Sequence, residues 1–384
     1  MKIGLVCNFY IYNYGSVLQS YALQQFVCNT GRDIEVINYH DVANRSKKVE
    51  ILLKLKLKDV FNINKIVSKF NIKREIKQDE AYNLIVSKRK KSYDEFVEKH
   101  FFLSKKCDSI SEVQELCKEY HTILLSSDQL WGPADLIRDY HTLRQFPKGK
   151  KRVAYATSFG VANLPAFLNT VVEDFIPQIE CVSVREKSGQ NIIKKICGRD
   201  VPVVVDPTML LSKEQWETVF SKNRIIKDRY IFCYFLGENK KHIQAVKEFS
   251  DEKKMKIVSI LHPENYNIKE YRFADIYPDG VGPAEFLNLI YNAEYVVSDS
   301  FHASVFSVIF NKKFMVFDRY NSASGESRNT RIENLLNMLQ LSNRHFTYQD
   351  KLSALMDIEI NWELVTRRLE LSRNCSIEYL ENSL

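Results

Sequence analysis

The sequence lacks the features that mark several classes of protein. No apolar run approaches the roughly 20 residues that cross a bilayer. The apolar start at residues 1–7 ends at Asn8, too early for a signal peptide. The eight cysteines are scattered without a C-x-x-C pair, which argues against a zinc site or a disulfide framework. We therefore expect a cytoplasmic protein whose cysteines are reduced.

Acidic residues are scarce in one segment of the chain. The 384 residues include 55 Lys+Arg and 48 Asp+Glu, a net charge of +7. Residues 45–106 hold 18 of these basic and 8 of these acidic residues, a local net charge of +10, so the remainder carries −3. Proline and glycine are also absent from this segment and its apolar spacing is helical. We expect two or three exposed helices here, on the rim of the first domain.

A solvated face is the default interpretation of this basic segment. The alternative is that residues 45–106 contact an anionic membrane surface, which would place the protein at the inner face of the membrane. Nucleic acid is the least favoured partner, because no recognised binding motif accompanies the lysines.

The length of the chain predicts two domains, because single cores rarely grow beyond about 250–300 residues. An apolar fraction of 45% and a charged fraction of 27% exclude a disordered or fibrous chain. A strand over residues 2–7, a helix over 16–28 and a strand over 35–39 form a βαβ unit, which implies a parallel sheet. A second βα series begins at residues 230–237.

Two consecutive α/β series predict two open parallel-sheet halves that face a cleft. We assign residues 1–210 to an N-terminal domain, with the basic helical insertion at about 45–119. Residues 228–345 form the C-terminal domain and residues 346–384 a helical tail. Ligands of such sheets bind outside the carboxyl ends of the strands, so polar residues there are the candidate site.

Two polar loops follow strands of the first half. Residues 8–16 lack the G-x-G-x-x-G fingerprint of dinucleotide-binding proteins, but Gly15 permits a tight turn and Ser16 can cap the next helix. The amides of that helix could bind an anion or a sugar, or the helix could be capped without a ligand. Residues 125–133 place small polar residues and an acid before Trp131, which suits either stacking on a sugar ring or a capped loop with a core tryptophan.

Charged residues follow further strands. Arg185 could bind a phosphate or a carboxylate, or form a salt bridge with Glu186. Asp299, Ser300 and His302 follow a strand of the second half, and the βα rhythm places the histidine in the first turn of a helix. There it could donate to an anion, act as a general acid or base, or be structural.

Two arginines, Arg328 and Arg331, precede an amphipathic helix. They could bind an anion or pair with acidic neighbours, Glu326 and Glu333.

Six short motifs stand in the order found in the polysaccharide pyruvyl transferase family, which the sequence resembles from residue 3 to about residue 340. They are NYGSVLQSYAL at residues 13–23, SDQLW at 127–131, SVREKS at 183–188, DPT at 206–208, SDSFH at 298–302 and RNTRI at 328–332. The sequence departs from the family pattern at Ala303, where the family usually has glycine. A methyl group there could crowd a ligand or be tolerated.

The resemblance implies a GT-B-like fold of two facing Rossmann-like domains. It also implies a transferase that moves the enolpyruvyl group of phosphoenolpyruvate onto a sugar of a surface polysaccharide or its precursor, giving a cyclic ketal and phosphate. No cofactor or metal is implied, and the acceptor is a sugar, a nucleotide sugar or a lipid-linked oligosaccharide. The alternatives are a GT-B-type sugar-nucleotide glycosyltransferase and a non-catalytic family member.

The resemblance further implies roles for individual residues. His302, Arg185 and Asp299 are the candidate catalytic residues, with the phosphoenolpyruvate side in the C-terminal domain. His302 could protonate C3 or support the departing phosphate, and Asp299 could orient His302 or deprotonate the attacking hydroxyl. The amides of Ala303 and Ser304 could add donors. The candidate substrate-binding residues are Asn13, Tyr14, Gly15, Ser16, Gln19, Ser127, Asp128, Gln129, Trp131, Ser300, Ala303, Ser304, Arg328 and Arg331, of which Asn13, Tyr14, Gln19, Asp128 and Trp131 would contact the acceptor.

Overall fold

The computed structural model describes residues 1–40, 80–133, 135–136, 140–237, 239–261, 273–319 and 330–384. These residues form two parallel five-stranded sheets with helices packed against them. The prediction of two open parallel-sheet α/β halves is therefore confirmed.

The first sheet has the strand order β2-β1-β3-β4-β5. Its strands are β1 (Lys2–Val6), β2 (Asp33–Val36), β3 (Thr122–Leu125), β4 (Lys151–Thr157) and β5 (Cys181–Val184). The helices of this part are α1 (Tyr14–Asn29), α2 (Glu80–His100), α3 (Ile110–Leu116), α4 (Asn169–Phe175) and α5 (Lys187–Cys197), with 3₁₀ turns at Cys117–Glu119, Ala166–Leu168 and Ile176–Gln178. All residues of β3 are buried, as expected for a strand covered on both faces.

The second sheet has the strand order β10-β9-β8-β6-β7. Its strands are β6 (Tyr230–Tyr234), β7 (Lys256–Ser259), β8 (Tyr295–Ser298), β9 (Lys313–Phe317) and β10 (His345–Phe346). A 3₁₀ turn at Pro207–Met209 and helix α6 (Lys213–Glu217) precede it. The remaining elements are α7 (Lys240–Lys253), α8 (Pro283–Asn292), α9 (Phe301–Ile309), α10 (Thr330–Leu339), α11 (Leu352–Asp357) and α12 (Trp362–Ser383), with a 3₁₀ turn at Ser342–Arg344.

Both sheets follow the same winding scheme. In each, the second strand lies on one side of the first strand and the third, fourth and fifth follow on the other side. The winding direction therefore reverses between β1 and β3 in the first sheet, and between β6 and β8 in the second. Ligands of doubly wound sheets bind at this point, outside the carboxyl ends of the strands.

One stretch forms less regular structure than its apolar composition predicts. The apolar residues 202–205 form a single bridge, Val203 to Val184, rather than a strand of their own. The helix that the βα rhythm predicts after β8 is confirmed as α9, whose N-cap Ser300 accepts a hydrogen bond from the Ala303 amide.

Helix α2 is the described part of the basic segment, and it is not a freely exposed helix. Its inner face buries Tyr93 and Phe96 in the main hydrophobic core. It also touches the second domain, because Lys88 Nζ lies 2.8 Å from Asp279 and Ser92 Oγ donates to the carbonyl of Gly280. The helices expected between residues 45 and 79 lie outside the described residues.

The C-terminal helix α12 returns to the first domain. Ser376 Oγ accepts a hydrogen bond from the Val205 amide at 3.0 Å, and Arg373 Nε donates to the Met209 carbonyl at 2.6 Å. The main hydrophobic core accordingly runs through both domains. None of the described helices combines the length and apolar composition needed to span a bilayer.

Candidate functional site

Helix α1 begins at the mouth of the cleft between the two domains. Its N-cap Asn13 accepts a hydrogen bond from the Ser16 amide at 3.2 Å through its side chain. Gly15 then lies against the imidazole of His302, and a Cβ at this position would overlap the imidazole ring. Tyr14 stacks on Phe286 of α8, with ring centroids 4.4 Å apart. The start of α1 is therefore packed directly against the second domain.

Asp128 follows β3 with a left-handed backbone, φ 85°. Its carboxylate accepts a hydrogen bond from Ser16 Oγ and lies 4.0 Å from Arg185 Nη2. Burial alone would raise the pKa of this carboxyl, but Arg185, His302 and the Ser16 hydroxyl together hold the pKa below its ordinary value. Asp128 is therefore ionised at neutral pH.

A second carboxylate, that of Asp206, connects the two domains. It is fully buried, and its Oδ2 lies 2.5 Å from Arg185 Nη1 and 3.7 Å from His302 Nε2. Ser127 Oγ donates to the same oxygen at 3.2 Å, and Thr208 donates to Oδ1 through its amide and hydroxyl. Burial would raise the pKa of Asp206, but Arg185 and His302 outweigh it and lower the pKa well below its ordinary value.

Arg185 is a buried cation held by carboxylates. Burial would lower its pKa, but Asp206, Glu186 and Asp128 raise it, so the guanidinium stays charged. Nε and Nη2 are buried without a hydrogen-bond partner among the described residues. The guanidinium also lies over the Phe301 ring, 4.8 Å from its centroid. These two nitrogens lie near carboxylates without bonding to them, Nε 3.8 Å from Glu186 Oε2 and Nη2 4.0 Å from Asp128 Oδ1.

Asp299, at the end of β8, holds the loop that follows β6. Its two carboxylate oxygens accept hydrogen bonds from the amides of Leu236 and Gly237, at 2.7 and 2.8 Å. Burial raises the pKa of Asp299 to about 6, although these amides oppose the shift. Both amides sit at the switch point of the second sheet, so Asp299 shapes that edge of the cleft.

The cleft contains two neighbouring cavities. The first lies between the domains and is lined by Asn13, Tyr14, Gly15, Asp128, Gln129, Tyr234, Leu236, Phe286, Asp299, Ser300, Phe301, His302, Arg319, Arg331 and Ile332. The second lies between residues 202–209, α10 and α12, and Arg185 and Asp206 line it. Phe301 and Arg331 line both cavities and form the wall between them.

Arg331 is the second guanidinium of this wall. Burial lowers its pKa to about 10, and the nearby positive charge of Arg185 contributes to the decrease. Its Nε is buried without a hydrogen-bond partner in the part of the chain that the structure describes. Its predicted companion Arg328 lies outside the described residues. Both guanidiniums thus lie within about 6 Å of the Phe301 ring centroid, and both carry nitrogens without a hydrogen-bond partner among the described residues.

Many of the predicted site residues meet at the first cavity. From the first domain these are Asn13, Tyr14, Gly15, Asp128 and Gln129, and from the second domain Asp299, Ser300, His302 and Arg331. Arg185 joins them through Asp206 rather than by lining the same cavity. Ser16 and Ser127 lie behind the wall, as donors to Asp128 and Asp206.

The prediction that Trp131 contacts the acceptor is wrong. Its side chain is fully buried, packs against Phe159 and Phe175, and donates from Nε1 to the His141 carbonyl at 3.1 Å. The core explanation of this tryptophan, which the sequence left open, therefore holds.

Gln19 does not face the cleft either. It is fully buried, donates to the Ser16 carbonyl at 3.0 Å, and accepts from Ser126 Oγ at 2.7 Å. It stabilises the start of α1 from behind.

The amides of Ala303 and Ser304 are not free donors. The Ala303 amide donates to Ser300 Oγ and the Ser304 amide to the Ser300 carbonyl. Both residues are buried in α9, and neither lines the cavities described above. The expectation that their N–H groups bind an anion is therefore wrong.

Asp206 is the residue that the sequence did not single out as part of the site. The Asp-Pro-Thr motif was recognised, but only as a motif. Its aspartate N-caps a 3₁₀ turn through the Thr208 amide, a local role that a short polar motif suggests. The contacts to Arg185 and His302 join residues 21 and 96 positions away in the sequence, so no local pattern reveals them.

Solved structures of other proteins share this fold. The structure of HepE from Anabaena in complex with UDP is similar, with a TM-score of 0.56 and 11% sequence identity. The similarity covers 100% of this chain and 100% of the HepE chain. The structure of MnaA from S. aureus with UDP has a TM-score of 0.53 and 9% sequence identity, and the similarity covers 100% of this chain and 97% of the MnaA chain. At such low identities the likeness concerns the fold alone, which is the GT-B architecture implied by the sequence resemblance.

No curated protein gives a significant sequence match to this chain. The sequence model of the polysaccharide pyruvyl transferase family, in contrast, matches residues 13–321, a span from the cap of α1 to just beyond β9. It covers cleft residues of both domains, from Gly15 to His302, whereas Arg331 lies beyond it. The chain therefore belongs to the polysaccharide pyruvyl transferase family and is a transferase.

Proposed function

We propose that this enzyme transfers the enolpyruvyl group of phosphoenolpyruvate to a sugar acceptor and forms a cyclic pyruvate ketal. The observation that carries the proposal is the set of arginine nitrogens without hydrogen-bond partners among the described residues, on Arg331 in the cavity of His302 and on Arg185 behind it, in a member of this family. Phosphoenolpyruvate bears a phosphate and a carboxylate, and arginine forks suit both groups.

Phosphoenolpyruvate would lie against the wall formed by Phe301 and Arg331. Its anionic groups would accept hydrogen bonds from Arg185 Nε and Nη2 and from Arg331 Nε, which are buried without partners among the described residues. Such donors are worth more in a site from which water is excluded. The acceptor sugar would occupy the first cavity, beside Asn13, Asp128 and Gln129.

The reaction needs one proton at C3 of phosphoenolpyruvate. Protonation there leaves C2 as an oxocarbenium-like centre, which a sugar hydroxyl attacks. A second hydroxyl then displaces phosphate from C2 and closes the ketal. Of the two protons released by the hydroxyls, one replaces the proton given to C3 and the other leaves with phosphate. His302 lines the cavity and serves as the proton donor in this scheme.

The decisive experiment measures phosphate release and ketal formation together. Phosphoenolpyruvate is offered with three acceptors: a free oligosaccharide, a nucleotide sugar and a lipid-linked sugar. We expect phosphate and the ketal methyl signal to appear in equal amounts with at least one acceptor. His302→Ala should abolish both, and His121→Ala, which removes an exposed histidine, should not.

The result that overturns the proposal is release of nucleotide diphosphate from the nucleotide sugar without any consumption of phosphoenolpyruvate. That outcome would identify a glycosyltransferase. Absence of turnover with all three acceptors, together with no binding of phosphoenolpyruvate, would identify a non-catalytic family member.

Contact with an anionic membrane surface is a separate part of the proposal. In the described part of the basic segment, Lys88 pairs with Asp279, Lys91 with Glu95 and Lys106 with Asp108, which compensates three of its seven basic side chains. The other eleven of the 18 basic residues stand at residues 45–79, outside the described residues, so the test uses lysines there. Replacing Lys54, Lys56 and Lys58 by Gln should weaken sedimentation with anionic vesicles, and unchanged sedimentation would contradict the membrane contact.

A further inference from the structure

We propose that Asp206 is a positioning residue for His302, and that the pair joins the two domains across the cleft. This inference rests on the proposed function for its chemistry, but its geometry stands on the structure alone. In the proposed arrangement His302 Nε2 carries a proton directed at Asp206 Oδ2. Nδ1 is then the nitrogen that exchanges a proton with the substrate.

The two edges of the imidazole have different surroundings. Nε2 is buried, has no hydrogen-bond partner among the described residues, and lies 3.7 Å from Asp206 Oδ2. The edge with Nδ1 and Cε1 lies beside Gly15, which lines the first cavity together with His302. An acceptor therefore stands behind Nε2, whereas Nδ1 packs against Gly15 at the edge of the cavity, and a substrate would reach this nitrogen beside Gly15.

Asp206 is better placed for this role than the other acids. Asp299, the sequence-based candidate, uses both oxygens to accept backbone amides. Asp128 also faces the imidazole, but it accepts a hydrogen bond from Ser16 and lies near Arg185 Nη2. Asp206 is fully buried and kept ionised by Arg185, so it presents a fixed negative charge.

The pair spans the domain boundary. Asp206 follows the first sheet, and His302 stands in the first turn of α9, which follows β8 of the second sheet. Gly15 and Asp206 thus form a slot on the first domain that receives the imidazole from the second. The 3.7 Å separation exceeds the usual hydrogen-bond length, so in this structure the two groups face each other without a formed hydrogen bond.

The arrangement has a clear consequence for proton transfer. When both ring nitrogens are protonated, Nδ1 gives its proton to C3 of phosphoenolpyruvate: the Nδ1–H bond breaks and the C3–H bond forms. The imidazole becomes neutral with its remaining proton on Nε2, facing Asp206, which stays anionic. A proton from the attacking sugar hydroxyl then restores Nδ1–H.

The test is the tautomer of His302, read by ¹⁵N NMR of histidine-labelled enzyme, with His302→Gln to assign the signal. In the free wild-type enzyme at alkaline pH we expect the tautomer with hydrogen on Nε2. Asp206→Asn should move the population toward the other tautomer, because the amide NH₂ is a donor. A wild-type His302 with hydrogen on Nδ1, or an unchanged tautomer in Asp206→Asn, would overturn the inference.

Turnover gives an independent measurement. Asp206→Asn should lower kcat by about 100-fold or more, and Asp206→Glu should recover part of the loss. Binding of phosphoenolpyruvate weakens as well, since Arg185 also depends on Asp206, so the tautomer is the readout specific to His302. Thr208→Val is the matched control, because it removes the hydroxyl hydrogen bond to Oδ1 and leaves the charge of Asp206 in place.

The two proposals can fail separately. The tautomer is measured without substrate, so it remains informative if phosphoenolpyruvate proves not to be the donor. If Asp206→Asn does not fold, the wild-type tautomer still decides. Hydrogen on Nδ1 of His302 in the wild type would by itself dismiss the role of Asp206.

Discussion

Gly15 of the first domain and His302 of the second lie in contact, with no space for a Cβ between them. A side chain at position 15 would therefore change how closely the two domains approach each other. Since the neighbours of Gly15 on α1 are buried, the helix cannot easily retreat. The contact therefore ties the position of the imidazole to the packing of α1.

We predict that Gly15→Ala displaces His302 and lowers kcat by at least about 100-fold, the usual contribution of a general acid. Thermal unfolding of the variant should remain cooperative, because the rest of α1 is unaffected. Gly189→Ala, where a Cβ would meet the Val184 side chain at 3.3 Å and no ring of the cleft, is the matched control and should keep its activity. Full activity in Gly15→Ala would contradict the assignment of His302 to the reaction.

Arg185→Ala should destabilise the protein by about 3–5 kcal/mol at neutral pH, because it leaves the buried Asp206 carboxylate without its cation. The pKa of Asp206 is lowered in the folded state, so its stabilising contribution is present above the unfolded pKa of about 3.9. It is lost as pH falls through the folded pKa. Urea unfolding at several pH values should therefore show the variant approaching the wild type below about pH 4.

The matched control for this variant is Arg229→Ala, which breaks an exposed pair with Glu294. It should change the urea midpoint little at any pH. An Arg185→Ala protein as stable as the wild type would show that the Arg185–Asp206 contact is not formed in solution.

Asp299 should make the protein less stable as pH rises, whereas the contribution of Asp206 is lost as pH falls. Its pKa is about 6 in the folded state and about 3.9 in the unfolded chain, so the folded state holds the proton more tightly between these values. Stability therefore falls as pH rises from about 4 to 6, by on the order of 3 kcal/mol. In Asp299→Asn this part of the pH dependence should disappear from the unfolding free energy, and identical slopes in the two proteins would refute the raised pKa.

Trp131→Phe should lower the unfolding free energy by about 1–3 kcal/mol, since it removes buried volume and the hydrogen bond to His141. The KM for the acceptor should stay unchanged, because the indole is in the core. Gln129→Ala is the comparison variant: its side chain lines the cavity, and we expect a raised acceptor KM without a comparable loss of stability. A raised acceptor KM in Trp131→Phe alone would restore the sugar-stacking interpretation.

The sequence predicted the architecture because the βα rhythm is a local signal. Apolar runs ending in polar loops located β1, β3 and β8, and parallel sheets bring the ends of such strands to one edge. That reasoning placed Asn13, Asp128 and His302 near one cleft, where the structure has them. For these positions, the order of the strands and the polarity of the loops are enough to predict that the residues lie at the cleft.

The failures concern the direction of individual side chains. Trp131 and Gln19 follow or lie near the correct loops, yet both point into the core, because packing with distant residues decides orientation. Asp206 shows the converse case. Its partners Arg185 and His302 belong to elements that only tertiary folding brings together, so its role needed coordinates.

Helix α12 has a consequence for the synthesis of the chain. Its contacts with Val205, Met209 and Arg32 cover part of the first domain with residues 362–383, which leave the ribosome after both sheets have been made. The first domain therefore emerges early but completes its packing late. Until α12 arrives, the groove around Val203 and Met209 is open to solvent, and a nascent chain at that stage offers an apolar surface to chaperones.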